Sequence, residues 1–153
     1  MTRDPELYVD GDACPVKDEV VRVAARYGLC VHMVSNEWLR MADGPLVRRV
    51  VVAEGADAAD DWIAAHIGPG DIAITADIPL AARCLAAGAR AIGPTGRPFT
   101  EDGIGAALAT RDLMAQLRET GDVVGGNPPF GKKDRSRFLG ALDAAIQAAR
   151  RGR

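Results

Sequence analysis

The chain has 153 residues, of which 48% are hydrophobic and 26% are charged. This length and composition fit one globular domain and exclude a disordered or fibrous chain, so we expect residues 1–153 to form a single domain. The net charge of -2 argues against wholesale coating of nucleic acid, because a non-specific binder usually carries a large basic excess, and any nucleic-acid contact must therefore be local.

Strand and helix signals alternate in the first third of the chain. The apolar run Leu7-Tyr8-Val9 predicts a strand that ends at Asp10, and Pro15 suits the first turn of a helix that continues to Gly28. Residues 29–34 and 47–53 predict a second and a third strand. The intervening residues 35–46 predict a structured loop or a short helix.

The same alternation continues to the end of the chain. A helix over residues 56–67 precedes a strand over residues 72–76, and Pro79 opens a helix that stops at Gly88. Residues 89–92 predict a short fifth strand, residues 93–96 a turn, and Thr100 caps a helix that runs to Gly121. A loop over residues 125–131 precedes a last helix from about Asp134. Such alternation predicts a mostly parallel sheet with helices on both faces, which is a three-layer α/β domain.

Carboxylates follow two of the predicted strands. Asp10 and Asp12 come at the end of the first strand, and Asp77 directly follows the strand over residues 72–76. Ligands of an open parallel sheet bind outside the carboxyl ends of its strands, so these acids are expected to converge. Like charges this close raise one another's pKa unless a cation neutralises them. Asp10, Asp12 and Asp77 are therefore the candidate catalytic residues, with Asp10 and Asp77 as direct ligands of a divalent metal. Solvated turn acids or helix N-caps are the alternative for each acid taken alone.

Three further aspartates, Asp57, Asp60 and Asp61, have the i, i+3, i+4 spacing of one helical face. An ordinary solvent-exposed face has the same pattern, and acids in a first helical turn also complement the helix dipole. The residues alone leave both interpretations open for Asp57 and Asp60, and they favour the solvent-exposed face for Asp61.

Basic residues gather after the glycine- and proline-rich loop. Their arrangement suits the binding of phosphates at the rim of a cleft, and the candidates are Lys132, Lys133, Arg135 and Arg137. Pairing with helix acids is the alternative for the two arginines.

Three other substrate-binding candidates belong to the same predicted sheet edge. Asn36 and Arg40 come just after the second strand, and Thr75 lies in the strand that precedes Asp77. A loop-stabilising asparagine and a surface arginine are the alternatives for the first two.

Cysteine and histidine usage predicts neither a disulfide framework nor a zinc site. The cysteines Cys14, Cys30 and Cys84 are odd in number and lack CxxC spacing, so we expect small buried hydrophobes in a reducing compartment. His32 lies in a predicted strand and His66 near a helix end, and neither has a partner at metal-ligand spacing. No apolar stretch approaches the length of a membrane span, and a cytoplasmic protein is the simplest expectation.

Four segments of the chain together resemble the bacterial YaiI/YqxD family, in the same order and at compatible spacing. They read VDGDACP (9–15), GADAAD (55–60), GDIAITADIPLA (70–81) and RDLM (111–114). The family pattern usually reads VDADACP near the start and ITADIPLA in the middle. This chain departs from the pattern at Gly11, at Asp61 and in its loop PPFGKK (128–133), and none of these changes removes an aspartate of the motifs.

The resemblance implies a PIN-like fold, in which acidic residues at the carboxyl edge of a parallel sheet hold Mg²⁺ or Mn²⁺ for phosphodiester cleavage. It also favours Asp57 and Asp60 as metal ligands beside Asp10 and Asp77. The resemblance is a likeness of sequence motifs and fold, and the activity that it implies is an expectation.

Three classes of function remain open from the sequence. A metal-dependent nuclease that acts on RNA or single-stranded nucleic acid combines the acids with the local basic rim. A haloacid dehalogenase-like phosphatase would use Asp10 and Asp12 as its paired aspartates, although Ala13-Cys14 replaces the threonine expected soon after the pair. A catalytically idle RNA- or protein-binding module would keep the basic rim without metal. The apolar last helix could also support a homodimer.

Overall fold

The structure, a computed structural model, describes residues 4–36, 44–53, 55, 57–106 and 130–152. Its strands are β1 (Leu7–Asp10), β2 (Val31–Ser35), β3 (Val47–Val51), β4 (Ile72–Ile74) and β5 (Arg90–Ile92). They form one sheet in the order β3-β2-β1-β4-β5, and every pair of neighbours is parallel. An isolated antiparallel bridge joins Ile92 to Pro98.

Helices follow most of the strands. A 3-10 turn (Gly11–Ala13) comes directly after β1, and the helices are α1 (Lys17–Tyr27), α2 (Ala58–His66), α3 (Ile78–Ala86), α4 (residues 101–106) and α5 (Lys132–Arg150). Gly28 ends α1 in the left-handed conformation, with φ of 69°, which a residue with a Cβ adopts at a cost. No helix within the described ranges is long and apolar enough to cross a membrane.

Two apolar layers enclose the sheet. On one face, α1 and α5 pack on β-strand residues such as Leu7, Val9 and Ile72. On the other face, α2 and α3 pack on Tyr8 and on its neighbours along the sheet. The central strands β2, β1 and β4 are buried on both faces, which is why they read as nearly continuous apolar runs in the sequence, whereas the edge strand β3 is partly exposed. The predicted three-layer α/β fold is therefore confirmed.

Within the described ranges, the predicted strands and helices are present, with shifts of one to two residues at several ends. The helix expected from about Asp134 begins at Lys132, because Asp134 is the third helical residue, where its carboxylate accepts a hydrogen bond from the Gly131 backbone N–H at 3.0 Å. Thr100 caps α4 as predicted, since its Oγ1 accepts from the Gly103 N–H at 3.0 Å. Most of the predictions for residues 35–46, 107–121 and 125–131 concern residues outside the described ranges.

The strand order places a topological switch point between β1 and β4. From β1 the chain steps outwards through β2 to β3, and it then crosses back to β4 on the other side of β1. Connections on the two sides of such a point leave in opposite directions, so a crevice opens at the carboxyl ends of the two strands. The residues that follow β1 and β4 therefore line the place where ligands of this architecture bind.

Candidate metal and substrate site

Asp10 and Asp77 lie at the switch point, one on each side of it. Asp10 is the last residue of β1, and Asp77 follows β4 as the N-cap of α3. Because both strands run in the same direction, both acids occupy the carboxyl edge of the sheet. Asp77 Oδ1 accepts from the Leu80 backbone N–H at 2.8 Å. Asp77 is therefore a helix N-cap, which was the alternative for this residue. The N-cap hydrogen bond occupies one of its two carboxylate oxygens.

Thr75 joins the two acids. In the register of β1 and β4, Val9 lies opposite Ile74, which brings Thr75 beside Asp10. The Thr75 hydroxyl donates to Asp10 Oδ2 at 3.1 Å and accepts from the Asp77 backbone N–H at 3.0 Å. Thr75 is buried, so these two bonds fix the geometry of the pair. Its contacts place Thr75 as a positioning residue for both acids, whereas its substrate contact stays a prediction.

Asp12 and Asn36 connect the neighbouring loops. Asp12, in the 3-10 turn, accepts from the Asn36 backbone N–H through Oδ1 at 2.8 Å. The Asn36 side-chain amide donates to the carbonyl of Ala53 at 3.1 Å, which ties the end of β2 to the segment after β3. These are the contacts of a loop-stabilising asparagine, which was the alternative for Asn36. Arg40 lies outside the described residues.

Asp60 turns towards the acids of the sheet edge from the first turn of α2. Burial first, and then the charges of Asp77, Asp10 and Asp57, raise the pKa of Asp60 to about 6, although the charge of Arg83 opposes the increase. Its neighbour Asp61 forms an ion pair with Arg83 at 2.9 Å and is exposed, as the pattern favoured. Asp57 is exposed too, and it is the N-cap residue of α2 without a side-chain hydrogen bond to the helix. The acidic helical face therefore divides into two parts: Asp60, beside Asp57, is electrostatically linked to the acids of the sheet edge, whereas Asp61 pairs with Arg83.

The pKa of the Asp10 carboxyl is raised as well, by burial and by neighbouring like charges. Burial raises its pKa, the hydrogen bond from Thr75 lowers it, and the neighbouring Asp12 and Asp77 raise it further. Acids that raise one another's pKa are relieved when a cation binds among them. Since every donor here is a carboxylate or hydroxyl oxygen, the set fits a hard divalent cation such as Mg²⁺ or Mn²⁺.

The described carboxylates are not gathered tightly around one point. No three of the described aspartates bring carboxylate oxygens within 4.8 Å of one another. A cavity of about 30 Å³ opens beside Asp10 and is lined by Cys14, Thr75, Ala76 and Pro94 among others. This volume holds about two water molecules. Mg²⁺ keeps several of its waters and is typically bound through one or two carboxylates, so the open arrangement fits it.

Cys14 has the character of a small buried hydrophobe, as predicted. Its side chain is buried, and burial raises the pKa of the thiol to about 11. A thiol that remains protonated at neutral pH is a poor nucleophile. The chemistry of this edge of the sheet therefore depends on oxygen groups.

The basic candidates belong to the first turns of α5. Lys132 and Lys133 are exposed there. Arg135 Nη1 instead donates to both carboxylate oxygens of Glu19, at 2.9 and 3.0 Å, and to the carbonyl of Pro15 at 3.0 Å. Arg135 thus shows the pairing with a helix acid that was its alternative. Because Pro15 follows the turn after β1, this contact holds the start of α5 near the carboxyl edge of the sheet.

Two arginines border an open cavity close to the same edge. The cavity measures about 430 Å³ and is lined by Thr95, Gly96, Arg97 and Arg137. Gly96 has φ of 91°, and a Cβ there would come within 2.7 Å of the Arg137 carbonyl oxygen, so glycine permits the close approach of this turn to α5. Arg97 was not among the substrate-binding candidates predicted from the sequence. Only its position after the fifth strand could have indicated it.

The interpretation of His32 requires a correction. Its Nε2 lies 2.8 Å from Glu6 Oε1 and 3.9 Å from Cys30 Sγ, so His32 does have partners that can ligate a metal. Glu6 is 26 residues away in the sequence, and it becomes a neighbour only because β1 pairs with β2. The i, i+2 spacing of Cys30 and His32 on one strand was the available signal. His66 instead stacks on Trp62 and contacts the Trp62 carbonyl at 2.7 Å.

Fold and site together define a three-layer, PIN-like α/β domain with an acidic cluster at its switch point. A family model described as "Uncharacterized BCR, YaiI/YqxD family" matches residues 8–148. The chain belongs to this family.

Curated relatives share most of the chain. A UPF0178 protein of Parvibaculum lavamentivorans is 63% identical over 146 residues, which are 95% of this chain and 96% of that protein. UPF0178 proteins of Paramagnetospirillum magneticum and Rhodospirillum rubrum are 60% and 61% identical, over 95% and 97% of this chain and 97% and 99% of their own lengths. The comparison with solved structures found no match.

Proposed function

We infer that this protein is a divalent-metal-dependent nuclease that hydrolyses phosphodiester bonds of RNA or single-stranded nucleic acid. The observation that carries this inference is the set of mutually repelling carboxylates at the switch point between β1 and β4. Asp10, Asp77 and Asp60 come from three different elements, and two of them have raised pKa values for which burial and neighbouring acids are responsible. Such a set has a cost for the apoprotein that a bound cation removes.

In this proposal, the aspartates are metal ligands and Thr75 is a positioning residue. Asp10 and Asp77 would hold Mg²⁺ or Mn²⁺, with Asp57 and Asp60 at the start of α2 as further ligands, and Asp12 would contribute directly or through a water. When bound, the metal supplies an activated water and stabilises charge on the leaving oxygen of a phosphodiester. Thr75 keeps one oxygen of Asp10 in place through its 3.1 Å hydrogen bond. The carboxylates then need no reorganisation when substrate binds.

Cationic side chains on the same side of the molecule favour an anionic substrate. Lys132 and Lys133 are exposed at the start of α5, and Arg97 and Arg137 border the open cavity beside it. Contacts of this kind bind phosphates without reading base sequence. With a net charge of -2 over the whole chain, the attraction for nucleic acid is local to this edge.

The test is cleavage of end-labelled single-stranded RNA and DNA by the purified full chain with Mn²⁺ or Mg²⁺. We expect cleavage that stops with chelator and falls at least about a hundredfold in Asp10→Asn and Asp77→Asn, since the metal supplies both the water and the charge stabilisation. Asp61→Asn is the matched control, because its exposed carboxylate pairs with Arg83 and has no role in the proposed metal site. It should retain the activity.

Two other results would replace this proposal. Hydrolysis of aryl phosphate monoesters without cleavage of oligonucleotides would make the protein a haloacid dehalogenase-like phosphatase that uses Asp10 and Asp12. Salt-sensitive binding of RNA without any metal-dependent reaction would make it a binding module.

A further inference from the structure

A second group of ligating side chains lies at the amino ends of the strands, and the aspartates lie at the carboxyl ends. Glu6 directly precedes β1, Cys30 directly precedes β2, and His32 is the second residue of β2. The register that pairs Leu7 with Val31 sets Glu6 beside Cys30, and the i, i+2 spacing puts Cys30 and His32 on one face. Four residues of strand, about 13 Å, separate Glu6 from Asp10. The two groups are therefore distinct sites.

We propose that Glu6, Cys30 and His32 form a binding site for Zn²⁺. Their ligand atoms, Oε1, Sγ and Nε2, all lie within 4.8 Å of one another. His32 Nε2 is 2.8 Å from Glu6 Oε1 and 3.9 Å from Cys30 Sγ. Tetrahedral zinc with ordinary bond lengths separates a nitrogen from an oxygen ligand by about 3.4 Å and from a sulfur ligand by about 3.6 Å. To match these values, the nitrogen–oxygen distance has to lengthen by about 0.6 Å and the nitrogen–sulfur distance to shorten by about 0.3 Å.

The imidazole of His32 is held in place for this role. Its ring stacks on Tyr8 with centroids 4.4 Å apart and an angle of 15° between the planes. The centroid of the Trp62 ring lies 5.9 Å from the centroid of the His32 ring. The residue is 8% exposed, so the ring has little freedom to turn away from Glu6 and Cys30. A ligand that is already ordered loses little entropy when the metal binds.

The donor types separate this site from the aspartate cluster. Imidazole nitrogen and thiolate sulfur favour borderline ions such as Zn²⁺, whereas carboxylate oxygens alone favour Mg²⁺ or Mn²⁺. Three protein ligands leave the fourth tetrahedral position to water. In the described part of the chain, this is the one group of three His, Cys, Asp or Glu side chains with ligand atoms this close together.

Arg48 on β3 is the present partner of the Cys30 thiol. It lies opposite His32 in the register of β2 and β3. Burial raises the pKa of Cys30, and the charge and hydrogen bond of Arg48 lower it. Zn²⁺ would take the place of this guanidinium and displace the thiol proton. Arg48 is exposed on an edge strand, so its side chain can move into solvent.

The experiment is a titration of the reduced, chelator-treated full chain with Co²⁺, which reports a bound thiolate by its ligand-to-metal charge-transfer absorption. We expect thiolate absorption from one Co²⁺ per chain, which Zn²⁺ abolishes by displacement, whereas Co²⁺ held by the aspartates gives no such absorption. Cys30→Ser should remove the absorption, and Glu6→Gln should weaken binding about tenfold or more. Cys84→Ser, which changes a buried cysteine on α3, is the matched control and should keep the full signal.

Several outcomes would overturn the proposal. They are the absence of thiolate absorption in the wild-type chain, its persistence in Cys30→Ser, or its loss in Cys84→Ser. Circular dichroism of each variant verifies the fold, and Glu6→Gln changes a partly exposed side chain that the core does not need. Asp10→Asn should bind Co²⁺ through Cys30 as the wild type does, so the zinc site and the proposed nuclease site succeed or fail separately.

Discussion

Replacing Asp60 by asparagine should stabilise the metal-free protein at neutral pH. The native state raises the pKa of this carboxyl from its ordinary 3.8 to about 6. Between these two values the native chain binds more protons than the unfolded chain, so stability falls as the pH rises from 3.8 to about 6, and the full penalty applies above that range. Asparagine carries no charge and escapes the penalty.

The expected gain follows from the same two values. The difference between 3.8 and about 6 corresponds to about 3 kcal/mol. Because the Asp60 side chain is only partly buried, solvent screening reduces the gain to about 1 kcal/mol. For a chain of this length, that increase raises the melting temperature by roughly 3 °C.

The assay is urea or thermal unfolding in the presence of chelator, at neutral pH and at a pH below 3.8. The gain of Asp60→Asn should be present at neutral pH and absent in acid, where the carboxyl is protonated in both states. Asp61→Asn is the control, since it loses an exposed ion pair with Arg83 and should gain nothing. An equal gain at both pH values, or the same gain in Asp61→Asn, would refute the electrostatic reasoning.

The remaining predictions concern the metal, the positioning residue and the substrate path. Mg²⁺ or Mn²⁺ should raise the melting temperature, because binding to the native state alone adds stability, and Asp10→Asn or Asp77→Asn should lose most of the increase; an unchanged shift in both variants would move the site elsewhere. Thr75→Val should lower the free energy of unfolding in urea by about 1–2 kcal/mol, because it removes the hydroxyl between the two acids, and Thr75→Ser should restore it. Failure of the serine variant to recover would assign the loss to packing. Lys132→Ala combined with Lys133→Ala should weaken RNA binding and flatten its salt dependence by about two counterions in fluorescence anisotropy. The same loss when Arg150 and Arg151, at the other end of α5, are both replaced by alanine would exclude a specific role for the lysines.

Local patterns predicted the fold because each strand and helix carries its own signal. The buried strands read as apolar runs. Glycine or proline marks the ends of the helices, as Gly28 does after α1. The ends were less certain where a residue type fits two positions. Asp134 is typical of a helix start, but here it occupies the third helical position and caps from inside, so the helix begins two residues earlier.

The site was predictable where it depends on strand ends and unpredictable where it depends on register. Asp10 and Asp77 follow apolar runs, and parallel strands bring such residues to one edge. The contacts of Arg135 with Glu19 and of His32 with Glu6 join residues that are 116 and 26 positions apart. They exist because particular helices and strands pack together, which no local pattern specifies. Thr75 could be named from the sequence, but its two hydrogen bonds could not.

The position of the metal tests the central claim most directly. A crystal structure of the full chain with Mn²⁺, measured for anomalous scattering, would locate the ion without an assumption about activity. We expect an anomalous peak at the carboxyl edge between β1 and β4, in contact with Asp10 and Asp77 and close to Asp60. A well-ordered structure with no Mn²⁺ at these aspartates, or with Mn²⁺ bound only at another place, would contradict the account.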